Sequence, residues 1–469
     1  MTSNQFRRQL KREVARWRQD AWISPEQHAR ITSHYDLDQI DGSAYGQFIS
    51  LLVGIGCVLI GIGCITFVAA NWQLIPRLFK VILLVSVFLA VSVAGRVLQQ
   101  RSQMGQRRLG EALLLLGSLI FGGNLALMGQ MFHQSGSGYG LCAIWSLGTL
   151  AMAYGLRLVS LCVLAQLLMG VAYGLWLRDG LWTGSAYPSG LDLLFQQMSL
   201  VTLLLFLPLA YRDRSRSIFV LTALGVVCSL VVRLAELPEI AVPMGVAAAL
   251  VATLPPALLW VYDDRPWCGG GDPRLSFRPA ARAIAMIYLC GVLYVTSFHG
   301  FWKNTQLDST VNPEANASLL LLSVTTLTAA AMAGWIYLGW PRRSGGWRLV
   351  TADAALLGVL ALSAGLCLVH WHIAPIPIVA TFLVNILLAV LGIGAMREGL
   401  GEGDRSRFWW GLVLLVLQII SRVLEYNTGL LVKSAVFLAC GVAVIVLGLW
   451  FERFIRPSDR AIANRSTAN

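Results

Sequence analysis

Charge is scarce in this chain. Only 13% of its residues are Asp, Glu, Lys or Arg, about half the share of a soluble protein, so most of its surface has to meet something other than water. The patterns that carry chemistry are missing too. There is no HExxH, no phosphate loop, no GxSxG in a strand-turn-helix setting and no carboxylate pair beside a nucleophile. Those gaps argue against an enzyme, and no catalytic residue is assigned. Among nine cysteines there is no CxxC pair, which removes the usual signals of zinc or thiol exchange, and no cofactor is expected. Most of the cysteines sit inside apolar runs and read as small packing residues. The first 47 residues also lack the short apolar run and small-residue cleavage site of a secretory signal, so a mature cytoplasmic N-terminus is expected.

What the chain has in quantity is hydrocarbon. Of its 469 residues 57% are hydrophobic, and mean hydropathy is +0.67. Apolar runs long enough to span a bilayer, roughly 20 residues, occur at 48–70, 78–98, 109–132, 138–156, 158–177, 190–211 and 216–235. Seven more follow at 240–262, 280–301, 316–340, 349–371, 375–397, 407–425 and 428–451. Lipid offers backbone groups no partners, and the alternation of barrel strands is absent, so these runs are expected to be helices. The fold class is therefore all-α, a polytopic transmembrane bundle of fourteen spans whose main partner is the lipid bilayer.

Lys and Arg outnumber acidic residues 36 to 24. In a membrane chain that excess belongs to cytoplasmic loops, and no nucleic-acid partner is expected. With the N-terminus inside and the spans alternating, 29 of the 36 basic residues fall on the cytoplasmic side and 7 outside. That asymmetry predicts both termini inside. The expected organisation is a cytoplasmic segment at 1–47, a four-span unit at 48–156, central spans at 157–348, a C-terminal four-span unit at 349–452 and a cytoplasmic tail at 453–469.

In the N-terminal segment, Phe6, Leu10, Val14 and Trp17 fall within about 80° of one another on a helix, while Arg7, Arg8, Lys11, Arg12, Arg16 and Arg18 take the remaining face. "SPEQ", Ser24 to Gln27, reads as a helix start with Ser24 as cap, Pro25 in the first turn and Gln27 completing a capping box. Together these predict a basic amphipathic helical hairpin, either packed on the protein's own loops or docked on headgroups or a cytoplasmic protein partner.

Polar residues inside the spans are the candidates for function. "GEALLLLGSLIFGGNLALMGQMFH", Gly110 to His133, carries Glu111, Asn124 and Gln130 in an otherwise apolar run. Two readings stand: a helix break at Gly122 and Gly123 with Asn124 capping a second half-helix, as at transporter sites, or a continuous buried helix bonding across the bundle. Asn71 closes the first span, and Gln166 and Asn385 lie near mid-span. If Glu111, Asn124, Gln166 and Asn385 converge, they supply a polar path. Gly54 and Gly61, and Gly56 and Gly63, mark faces where a neighbouring helix can come close. Gln418, Arg422 and Glu425 share one helix face by their spacings, with Arg422 and Glu425 read as a self-neutralising pair. His133, His299, His370 and His372 fall at outer ends of spans, but no carboxylate or cysteine stands at ligand spacing, and no metal is assigned.

"WISPEQ" (Trp22 to Gln27), "FVAANW" (Phe67 to Trp72), "GEALLLLG", "FGGN" and "GQMFH" occur in order, and over roughly the first 150 residues the chain resembles the bacterial membrane-protein family called domain of unknown function 2157. The resemblance implies a multi-pass protein of the bacterial inner membrane and no activity. Two functions remain open from the residues: binding or transport of a small solute or lipid within the bundle, or a membrane-embedded sensor or scaffold whose hairpin meets a partner.

Overall fold

The structure is a computed structural model. It describes residues 76–101, 103–132, 137–183, 190–264, 276–303, 317–339, 351–426 and 429–466, together with residues 22–34 and parts of 10–20 and 52–67. Every regular element among the described residues is helical. The chain divides into two compact units, Met1–Ala186 and Tyr187–Asn469.

In the first unit, α1 (Pro25–His34) begins with the expected capping box. The Ser24 amide donates to Gln27 Oε1 at 2.9 Å, and the Gln27 amide donates to Ser24 Oγ at 3.2 Å. Upstream, the described residues from Leu10 to Arg18 are helical, with Val14 buried and Arg16 and Arg18 exposed. Phe6, Arg7, Arg8, Lys11 and Arg12 lie outside the described residues.

Four long helices follow: α2 (Arg77–Gln99), α3 (Met104–Met131), α4 (Gly138–Leu156) and α5 (Val159–Thr183). α2 packs along α3, and α4 along α5. The first pair meets backbone to backbone. A Cβ on Gly110 would lie 2.3 Å from the Gln99 amide nitrogen and 2.7 Å from the Gly95 carbonyl oxygen, so any side chain there would push the helices apart. By contrast, a Cβ on Gly54, Gly56 or Gly63 would meet nothing within 4 Å among the described residues. Gly61 lies outside the described residues.

The second unit contains α6 (Gly190–Gln196), α7 (Met198–Arg212), α8 (Arg216–Ala235), a 3-10 turn at Leu237–Ile240 and α9 (Met244–Trp260). It continues with α10 (Arg278–Thr296), α11 (His299–Lys303), α12 (Ala317–Gly339), α13 (Thr351–His372), α14 (Pro377–Glu402), α15 (Arg405–Glu425) and α16 (Leu430–Ser466). α9 is the centre of this bundle, packed against α8, α10, α12 and α13. Its Ala247 and Leu254 join Leu230 and Leu234 of α8 and Leu327 and Ala331 of α12 in one buried cluster. Pro255 and Pro256 sit inside α9. Proline has no amide hydrogen, so Pro255 leaves the Val251 carbonyl without its helical donor. The Tyr288 hydroxyl of α10 supplies one at 2.7 Å.

Eleven helices among the described residues are long and apolar enough to cross a bilayer, and α7 and α9 are apolar but shorter. The many-spanning helical class is as expected, and the segments expected at 138–156 and 216–235 coincide with α4 and α8. Departures from fourteen full spans have local causes. The run at 190–211 is divided at Gln197, whose φ of −103° and ψ of 26° fall outside the helical range, and α9 ends at Trp260 soon after its two prolines. The run at 48–70 is described only in part and is helical where described. Large apolar side chains such as Leu204, Phe382, Leu430 and Leu431 stand exposed on these helices, the arrangement that a hydrocarbon surrounding stabilises and water opposes.

Candidate functional site

In the first unit several polar side chains hold helices to one another. α3 runs unbroken through Gly122 and Gly123, and the Phe132 amide still bonds the Met128 carbonyl at 3.0 Å. Of the two readings, the continuous helix bonding across the bundle is the one found; there is no break at Gly122 and Gly123, and Asn124 does not cap a second half-helix. The physical reason is packing: a Cβ on Gly122 would lie 2.1 Å from the Trp145 indole, so this glycine makes room for a ring of α4 and has no need to bend the backbone. The Trp145 indole N–H donates to the Ser118 carbonyl of α3 at 2.9 Å, and Ser118 and Thr149 hydroxyls bond at 2.8 Å. The Asn124 side-chain amide donates to the Leu84 carbonyl of α2 at 2.8 Å, and Ser146 donates to the Ala165 carbonyl at 2.7 Å.

Glu111 is half-buried and pairs with Arg107 on its own helix at 3.3 Å. It lies thirteen residues from Asn124 on one continuous helix, a rise of about 20 Å, so the two do not meet. Gln130 is exposed, Gln166 is partly buried within α5, and Asn71 lies outside the described residues. Asn385 belongs to the second unit. Glu111 and Asn124 thus have separate partners, Arg107 on the same helix and the Leu84 carbonyl of α2.

The second unit carries two polar clusters at opposite ends of its bundle. At one end, buried Asp353 of α13 accepts the Trp260 indole N–H at 2.9 Å and Arg282 Nη2 at 3.2 Å, while the Arg282 guanidinium stacks 4.5 Å from the Trp260 ring. Beside it in the chain, Asp264 ties three segments together. Its Oδ2 accepts from Ser276 Oγ and the Phe277 and Arg278 amides, at 2.7, 3.0 and 3.1 Å, and its Oδ1 accepts from the Tyr211 hydroxyl at 2.6 Å. Placing a carboxylate on the first amides of α10 satisfies donors that a helix start leaves open.

The other cluster lies where α10 and α15 end. The Ser297 carbonyl accepts from Arg422 Nη1 at 2.6 Å and from the Asn385 side-chain amide at 3.1 Å. Gln418 donates to the Asn385 carbonyl at 2.8 Å and to Asn385 Oδ1 at 3.1 Å. Arg422 Nη1 also bonds Glu425 Oε2, and the other oxygen of Glu425 accepts the His299 amide at 2.7 Å. The Phe298 ring lies under the guanidinium, 4.1 Å away. Arg422 and Glu425 do pair as expected, yet each also binds the turn after α10. Two nitrogens of Arg422, Nε and Nη2, are buried without a hydrogen-bond partner, as are Gln418 Oε1 and Thr381 Oγ1. Each such group costs about 1 to 3 kcal/mol.

Next to this network in the chain, Thr296 and Val384 help line a small apolar cavity with Ala252, Leu293, Trp302 and Cys367. Its volume is about 10 Å³, roughly the room of one water. His370 Nδ1 accepts the Ile376 amide at 3.0 Å, so that histidine is a turn-holding group. At the end of α8, buried Arg233 pairs with Glu236. Burial pushes the Glu236 carboxyl up from its ordinary value, Arg233 pulls it down, and Glu239 adds a smaller upward push.

The side chains of the Arg422 cluster were partly visible in the sequence through the spacing of Gln418, Arg422 and Glu425. Its hub was not, because the Ser297 carbonyl is a backbone group with no signature in residue type.

Residues 15–179 match the model of a family described as predicted membrane protein (DUF2157). No curated protein and no solved structure matches the chain. The matched stretch ends within α5, so the cluster around Arg422 lies outside it.

Proposed function

We propose that this multi-pass protein of the bacterial inner membrane is a membrane-embedded binding protein, one that takes a small solute or a lipid at the boundary of its C-terminal bundle. The observation that carries this reading is a buried charged group short of partners. In the first unit Asn124, Ser118, Ser146 and Trp145 each bond a neighbouring helix. Arg422 keeps two buried donors unpartnered. Intramembrane charge of that kind marks functional sites.

The purified protein should show a rise in its unfolding midpoint with at least one class from a panel of neutral solutes, organic acids, inorganic phosphate and defined lipids. The rise follows from binding to the native state alone. A midpoint that no member of the panel moves would overturn the reading.

The second reading, a sensor or scaffold that meets a cytoplasmic partner, draws on the capping box at Ser24 and Gln27 and on the exposed Arg16 and Arg18. The start signal opens α1 and the exposed arginines lie on the helical residues before it, and this reading takes the two as one segment apart from the spans.

A further inference from the structure

We propose that the side-on edge of Arg422, formed by its Nε and Nη2 N–H groups, is a recognition site for an oxyanion, a carboxylate or phosphate group. This rests on the reading above and names its ligand class. A guanidinium is planar, and its Nε–H and one Nη–H point the same way, spaced to meet two oxygens of one anion. In Arg422 the opposite corner, Nη1, is held by the Ser297 carbonyl at 2.6 Å and by Glu425. Phe298 lies under the plane at 4.1 Å. Those three contacts fix where the fork points, and neither of its donors has a partner. Rotating the group to find one would break both bonds at Nη1.

Glu425 does not fill the site. One of its oxygens is on Nη1 and the other accepts the His299 amide at 2.7 Å, so it balances the charge from the far corner. Two further unpartnered atoms stand on the same two helices, Gln418 Oε1 one turn before Arg422 and Thr381 Oγ1 one turn before Asn385. A ligand with an anionic group and a hydroxyl has counterparts for both kinds. Arg422 stands three residues from the end of α15, where a long basic side chain can reach toward a membrane interface. The chemistry is therefore that of a headgroup phosphate or of a free carboxylate or phosphate solute.

The test uses the full-length protein in neutral detergent. Its unfolding midpoint is followed against sodium phosphate and sodium acetate, with sodium chloride at equal ionic strength as reference, and in nanodiscs of phosphatidylglycerol or phosphatidylcholine. A saturable rise with phosphate or acetate supports a free oxyanion, and a rise confined to phosphatidylglycerol supports a headgroup. In Arg422→Lys, which keeps the charge and loses the fork, the apparent affinity should fall by roughly tenfold or more. Should that variant not fold, labelling of the wild-type protein by an arginine-specific dicarbonyl reagent, read by mass spectrometry, should be blocked at Arg422 by the active anion. The proposal is overturned if neither anion nor phosphatidylglycerol moves the midpoint, if Arg422→Lys responds as the wild type does, or if Arg422 labels equally with and without anion. A neutral solute that stabilises the protein while all three probes fail leaves the binding reading standing and removes this one.

Discussion

Gly122 shows how a single residue type can mislead and then explain. Two adjacent glycines before an asparagine look like a break, and only the partner across the helix decides otherwise. The ring of Trp145 is pinned by its bond to the Ser118 carbonyl, so it cannot swing away from a new methyl group. Gly122→Ala should therefore destabilise the protein by about 1 to 3 kcal/mol, the usual range for overpacking. Reversible unfolding in mixed micelles would measure it, and an unchanged midpoint would show that α4 has room to shift. Asn124 was recognisable as a polar residue needing a protein partner, because lipid leaves it none. That the partner is the Leu84 carbonyl was beyond reach, since any helix carbonyl offers the same chemistry.

Among the elements, the long helices were legible from apolar runs, because a run that lipid surrounds must satisfy its backbone internally. Their interruptions were less so. Gln197 departs from helical geometry in a stretch whose composition gives no warning. The prolines of α9 were visible, but not the Tyr288 hydroxyl that replaces a lost donor. The capping box of α1 was readable in full, since both of its partners lie within four residues. If the N-terminal segment folds apart from the spans, deleting residues 1–40 should leave membrane insertion intact, as later spans carry their own signals. Membrane fractionation and resistance to carbonate extraction would measure this, and a truncated protein that no longer inserts would place the segment in the core.

At the scale of the molecule, the bonds of the second unit sort its helix ends into two sets. His299 meets Glu425, and His372 lies against Gly245; at the other end Trp260, Arg282 and Asp353 come together. Those contacts agree with alternation of the spans, and the split of 29 basic residues against 7 is the ground for the expected orientation. Reporter fusions after Arg212 and Arg342 should read as cytoplasmic, and fusions at Lys303 and His372 as outside; a cytoplasmic signal at Lys303 would reverse the assignment. The Arg422 cluster was legible only in pieces, because its members come from three helices and a turn whose meeting depends on the whole bundle. Asp264 has a consequence for synthesis on the ribosome. Tyr211 leaves the exit tunnel early, yet the carboxylate it binds takes its remaining bonds from Ser276, Phe277 and Arg278. That knot cannot be completed until Arg278 has left the ribosome, and by then α7, α8 and α9 have all emerged ahead of it, so the three helices exist before the bonds that tie their ends.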